Sequence, residues 1–271
     1  MYLPDHTGSI GVFDSGIGGL SVANAVSGLL PRESMLYVAD NAHAPYGKRT
    51  EAEVFDYSRR ITDFLLGAGV KLIVVACNTA TSIAIDRLRE TYAGVPFVGL
   101  EPAVKPAAGG DRVGVMATAV TLRSKRYLAL REKYLADRPV WENACEGLVP
   151  LIEAHPPGSP QLAQYLEDLF TAAGPLDTLV LGCTHYPLIV DDIRAAAGRG
   201  VNVIDPSGAA ARQVVRLLER EGLGQCEPEA VARYDFLCTG GPAPLQRTLM
   251  QLPRLNDRRR WVMPYLALNK P

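Results

Sequence analysis

A chain of 271 residues that is 48% hydrophobic and 21% charged, with a net charge of −1, has the length for one large or two medium globular domains. It carries no electrostatic footprint for nucleic acid or an anionic membrane, no apolar run near the ~20 residues of a membrane span, and no secretion signal in its opening MYLPDHTGS. Five cysteines (77, 145, 183, 226 and 238), an odd number without a CxxC pair, argue against a disulfide framework or zinc knuckle, so the expected setting is the cytoplasm, with reduced thiols.

Strand and helix patterns alternate from the start. Ile10–Phe13 reads as a strand and DSGIGG as a tight turn into a helix from Leu20. Met35–Ala39 is a second strand, opening into the polar loop ADNAHAPYGKRT, and a helix is expected over Glu51–Leu66. Leu72–Ala76 has the unbroken apolar run of a strand buried on both faces. Cys77 follows it, then the N-cap types Asn78 and Thr79, then a helix from Thr81 to Glu90. After a strand at Phe97–Leu100, the Pro- and Gly-rich stretch Gly99–Gly110 marks a domain crossover. Beyond it come a strand at Val113–Met116, a helix at Leu122–Tyr134 and an apolar run at Leu148–Ile152. A loop over Glu153–Ser159 leads to a helix at Gln161–Ala172 and a strand at Leu179–Leu181. Cys183, Thr184 and His185 then precede a helix from Pro187, patterned through Ile189–Ala197. A strand at Val201–Ile204, a helix at Ala209–Glu221 and a strand at Phe236–Leu237 complete the pattern. Such alternation implies parallel sheets flanked by helices, with active sites at the carboxyl ends of the strands.

An internal repeat sharpens the expectation. Ile10–Ser21 aligns without gaps on Val113–Ser124, matching Asp14 to Ala117 and Ser15 to Thr118, and the two strand–Cys corners recur at nearly the same offset. The chain is therefore expected to be an α/β protein of two similar parallel-sheet domains related by pseudo-twofold symmetry, with the active site in the cleft between them.

Two thiols at strand ends next to helix N-termini suit one task in particular. Racemising an amino acid without a cofactor needs a base on one face of Cα and an acid on the other. A thiol pKa of roughly 8.5 is within reach of neutral pH once dipoles and neighbours act. Nothing marks a pyridoxal-phosphate lysine, so no cofactor is expected, and no metal. The Gly spacing of DSGIGG is not that of a phosphate loop, and Asp14 would repel a phosphate. Asp14 and Ser15 are read either as caps of that turn or as an acid and a donor facing a ligand. His185 is an acid/base candidate or a helix cap, and Glu153 is either solvated or turned to the site. Cys145, Cys226 and Cys238 lack such context and read as core or incidental; His6, His43 and His155 read as incidental loop residues, His43 with the strongest claim of the three. Two other classes stay open: a Cys-His-Asp hydrolase built on Cys183 and His185, whose spacing seldom aligns side chains for that, and a redox sensor joining Cys77 to Cys183.

DSGIGG, PYG, ACNTA, EPAVKPA, VPLIE and LGCTHYPL, spread over essentially the whole chain, resemble the cofactor-independent glutamate racemases of the aspartate/glutamate racemase superfamily. The resemblance implies Cys77 and Cys183 as the acid/base pair, Asp14 tuning Cys77, and Glu153 and His185 tuning Cys183. It implies substrate contacts from Asp14, Ser15, Tyr46, Gly47, Asn78, Thr79, Thr184 and His185. Thr118 joins them as the repeat partner of Ser15, although Met116-Ala117 stands before it where many relatives carry Gly-Thr. A split domain of residues 1–99 with 207–271 around a second of 100–206 is implied as well. So are glutamate as the small-molecule substrate, a role in peptidoglycan synthesis and cell shape, and a partner list with no nucleic acid or membrane that admits a homodimer.

Overall fold

The computed structural model of the chain describes residues 5–224 and 231–264, so Cys226 lies outside the described residues. The elements run β1 (Ile10–Asp14), α1 (Leu20–Leu29), β2 (Met35–Ala39), α2 (Glu51–Gly67), β3 (Leu72–Val75), α3 (Asn78–Thr91) and β4 (Phe97–Gly99). They continue with β5 (Val113–Ala117), α4 (Ala119–Arg123), α5 (Lys125–Leu135), β6 (Val140–Asn143), α6 (Leu148–Ala154), α7 (Pro160–Ala173), β7 (Thr178–Gly182), α8 (Val190–Ala197) and β8 (Asn202–Ile204). The last are α9 (Ser207–Glu221), β9 (Tyr234–Cys238), α10 (Ala243–Met250), α11 (Pro253–Asn256) and β10 (Arg259–Pro264). Two compact units result, one of Met1–Leu100 with Ser207–Pro271 and one of Glu101–Pro206.

The first unit carries a six-stranded sheet in the order β10-β9-β2-β1-β3-β4. All its pairings are parallel. Strands β1, β2, β3 and β9 are buried along their whole length, which is why their sequences read as apolar runs rather than alternating ones. Phe13, Leu36, Ile73 and Val75 meet Leu65, Ala84 and Leu88 of α2 and α3 in one core. Helix α2 opens with a capping box in which Thr50 Oγ1 accepts the Glu53 N–H and the Glu53 carboxylate accepts the Thr50 N–H.

The second unit carries a four-stranded sheet in the order β6-β5-β7-β8, again all parallel. Its order of second, first, third and fourth strand repeats the β2-β1-β3-β4 core of the first sheet. Strand β1 and its repeat partner β5 each have five residues, and Cys77 and Cys183 each come shortly after the third strand of that order. Met116, Leu179 and Leu181 pack with Leu148, Leu162, Leu166 and Ile193 of the covering helices.

The structure departs from the sequence expectations in several places. Strands β6 and β10 were not expected; both are sheet edges, and their VWEN and RRWVMP sequences lack the apolar run of a doubly covered strand. Leu148–Ala154 is a helix. The single helix expected over Leu122–Tyr134 is two, because Ser124 takes an extended backbone (φ −68°, ψ 142°) and caps α5 by accepting the Tyr127 N–H. The helix expected from Pro187 begins as a 3₁₀ turn, Tyr186–Ile189, and becomes α8 only at Val190. No helix among the described residues is long and apolar enough to cross a membrane.

Candidate active site

In the first unit the carboxyl ends of β1, β2, β3 and β9 bring polar side chains together. Asp14 ends β1, is fully buried, and accepts the Gly16 N–H at 2.7 Å, so it does cap the DSGIGG turn. Tyr37 supports that turn from β2 by donating its hydroxyl to the Gly16 carbonyl at 2.8 Å. Gly19 is required here: a Cβ on it would lie 2.6 Å from Asp14 Cβ and 2.9 Å from the Tyr37 hydroxyl.

Cys77 itself is the N-cap of α3, one residue earlier than Asn78–Thr79, which are the first helical residues instead. Its sulfur accepts the Ala80 N–H at 3.4 Å and lies 3.8 Å from Ser15 Oγ. A sulfur that accepts an amide of the first turn of a 14-residue helix faces the positive end of the helix dipole, which attracts negative charge. Asn78 donates to the Leu100 carbonyl at 3.4 Å, and Thr79 accepts from Ser82 through its carbonyl.

Tyr46 and Gly47 sit in a 3₁₀ turn, Tyr46–Lys48, that follows the cis Ala44–Pro45 bond and packs on α3. Burial and the neighbouring Asp40 hold the Tyr46 phenol well above its ordinary range, and the charges of Cys77 and Asp14 push in the same direction. The turn therefore lies within electrostatic reach of the thiol.

In the second unit Cys183 follows β7, and His185 Nδ1 stands 3.9 Å from its sulfur. His185 Nε2 is 2.9 Å from Glu153 Oε1, a residue that α6 places on the same side. The expectation that a Cys-x-His spacing seldom aligns was wrong here, because the Tyr186–Ile189 turn follows at once and folds His185 back over Cys183. Both thiols and the His185 imidazole are buried, while Glu153 keeps a quarter of its side chain exposed. Thr184 is buried between Cys183 and His185. Thr118 accepts the Thr121 N–H at 3.3 Å as the cap of α4, at the carboxyl end of β5. Burial pushes Cys145 up to about 12 and Cys238 up to about 11, the behaviour of inert core thiols.

The Asp/Glu/Hydantoin racemase family model matches residues 20–214. The glutamate racemase of Pseudomonas syringae pv. tomato is 46% identical over 227 residues, covering 81% of this chain and 82% of that protein. That of Pseudomonas aeruginosa PAO1 is 45% identical over 234 residues, 84% and 88% of the two chains. The chain belongs to the glutamate racemase family. Solved members share its fold. The Thermus thermophilus enzyme, in complex with beta-chloro-D-alanine, superposes with a TM-score of 0.79 at 39% identity, covering 96% of this chain and 98% of its own. The Escherichia coli enzyme, in complex with L-glutamate and the activator UDP-MurNAc-Ala, gives 0.81 at 30% identity, with coverages of 94% and 97%. As a member of the glutamate racemase family, the chain is an amino-acid racemase and so an isomerase.

Two residues of this racemase's first unit stand beside the candidate site without having been singled out from sequence. Asp40 and Thr239 are almost fully buried and bonded to each other, and His43, read as an incidental loop residue, joins them. Their signals were a polar loop after β2, of the kind that often carries sites, and a Thr-Gly-Gly after β9 that has the composition of an ordinary turn.

Proposed function

We propose that the protein interconverts L- and D-glutamate by a two-base transfer at Cα, without a cofactor. Each thiol serves one face. From D-glutamate the Cys77 thiolate removes the Cα proton and becomes a thiol. The C–H electron pair moves into the α-carboxylate, and the Cys183 thiol returns a proton to the opposite face and becomes a thiolate. From L-glutamate the roles exchange. Asp14 and Ser15 serve the Cys77 half, and Glu153 and His185 serve the Cys183 half. Ser15, Tyr46–Gly47, Asn78, Thr79, Thr118, Thr184 and His185 form the substrate contacts. On this reading the two compact units are the domains that supply one thiol each, and the product feeds peptidoglycan synthesis in the cytoplasm.

The observation that carries the reading is the pair of thiols at equivalent places in two sheets that share a four-strand order, one capping a helix and one beside an imidazole–carboxylate pair. The α-proton is far less acidic than a thiol, so fixed dipoles must stabilise the carbanion; α3 offers such amides behind Cys77. Incubation with D-glutamate in deuterium oxide tests it. Deuterium should appear at Cα as L-glutamate forms, and Cys77→Ser and Cys183→Ser should each stop racemisation. Exchange into D-aspartate at a comparable rate would reassign the substrate. A second reading, a thiol hydrolase, is favoured by the Cys183–His185–Glu153 chain alone, and it leaves Cys77 unused. A hydrolase would leave the α-proton in place.

A further inference from the structure

Asp40 is a carboxylate with 1% of its surface exposed, and the proton transfer above gives it no task. Its Oδ2 accepts the Tyr46 hydroxyl at 2.6 Å. Its Oδ1 accepts the Thr239 hydroxyl at 2.7 Å and faces His43 Nδ1 at 2.8 Å. The Asp40 N–H in turn is donated to the Asp14 carbonyl at 2.9 Å, so the hub is bonded to the backbone at the end of β1. A buried carboxylate surrounded by donors holds them firmly, since charge-assisted bonds are strong where water is excluded.

Thr239 does more than complete this set. The same oxygen that donates to Asp40 accepts the Ala42 N–H at 3.0 Å. Its neighbours lace the rest of the loop: Gly240 N–H to Asn41 Oδ1 at 2.7 Å, Asn41 Nδ2 to the Gly241 carbonyl at 2.8 Å, and Thr239 N–H to the Ala39 carbonyl at 3.0 Å. Residues 239–241, at the carboxyl end of β9, thus fix residues 39–42 at the carboxyl end of β2. Tyr46 has 1% of its surface exposed and its hydroxyl is committed to Asp40. The ring is therefore an anchor, which leaves the backbone and the half-buried Gly47 as the parts of the turn open to a ligand.

We infer that Thr239 is a positioning residue for the Tyr46–Gly47 turn, acting through Asp40 and Ala42, and that it sets the affinity for substrate rather than the rate of proton transfer. This rests on the reading that Tyr46–Gly47 contacts glutamate. Thr239→Val keeps the shape and removes both bonds, Thr239→Ala removes them without placing a methyl against the carboxylate, and Thr239→Ser keeps them. Steady-state racemisation and equilibrium binding of D-glutamate should show KM and Kd raised about tenfold in the Val and Ala variants, with kcat within about threefold of the parent and near-parental behaviour of Thr239→Ser. Tyr46→Phe should raise KM in the same way.

Parental KM in Thr239→Val and Thr239→Ala, a fall in kcat at unchanged KM, or unfolding of both variants would overturn the inference. So would a raised KM in Thr239→Val with a parental KM in Tyr46→Phe, since the effect would then bypass the turn. The underlying readings fail separately. A parent protein that does not turn over glutamate removes the substrate, and a parental KM in both Tyr46→Phe and Gly47→Ala removes the turn from the binding site.

Discussion

At the scale of single residues, the candidate site is a set of side chains with ordinary structural roles, onto which the proposed reading places chemical ones. Cys77 caps a helix, as Ser or Asp would, but its cap atom is a thiol sulfur that accepts a helix amide at the positive end of the helix dipole. Asp14 caps a turn and sits at the end of the strand beside the one that leads to Cys77. Asp14→Asn separates these roles, because an amide carbonyl can still accept the Gly16 N–H while the carboxylate is gone. The fold should survive, as judged by circular dichroism, and turnover should fall by ~10²-fold or more if Asp14 assists proton transfer at Cys77. Turnover within a factor of two of the parent would leave only the cap.

Elements set the tolerances of the site. The β1–α1 connection passes so close to β1 that Gly19 has no room for a side chain: Asp14, Tyr37 and Ala76 all crowd the missing Cβ. Gly19→Ala must displace the strand end or break the bond from Tyr37 to Gly16, and we expect a loss of about 1–3 kcal/mol, as for other overpacked sites. A urea titration measures it. An unchanged midpoint would mean that the turn relaxes without strain. The same displacement would move Asp14, so activity should fall further than stability predicts. Helix α6 acts differently: Leu148 and Ile152 bury one side of it, and the next residue, Glu153, is left at the boundary where it reaches His185.

At the scale of the whole chain, the first unit is sewn from both ends of the sequence. His6 Nε2 lies 3.2 Å from Asp235 Oδ2 on β9, and Arg260 of β10 pairs with the same carboxylate. His6 was read as incidental, yet it is buried here. Burial, the largest influence, holds its imidazole below the ordinary range, although Asp235 pulls the other way. The folded chain thus disfavours a proton that the unfolded chain accepts below about pH 6.5. The resulting stabilisation is complete above that pH and is lost as pH falls below it through the lowered folded-state value. The urea midpoint of the parent should therefore drop more steeply between about pH 7 and pH 5 than that of His6→Gln, which cannot titrate there. Parallel curves would show that His6 is not linked to folding.

The local grammar of this protein was legible in its sequence, and its long-range hydrogen bonding was not. Buried strands leading to Asp14, Cys77 and Cys183, the small polar residues after them and the repeat of β1 in β5 are all written in consecutive residues, because burial on both faces demands unbroken apolar runs and caps lie next to what they cap. Edge strands β6 and β10 escaped that grammar because an edge is covered less and tolerates Glu142, Asn143, Arg259 and Arg260. The meeting of Thr239 with Asp40, 199 positions apart, and of Glu153 with His185, 32 apart, left no local trace. A hydroxyl or carboxylate in a turn looks the same whether it faces water or a buried partner. Only the parallel order of the strands, which sets β9 beside β2 and gathers their carboxyl ends, decides which of these it does.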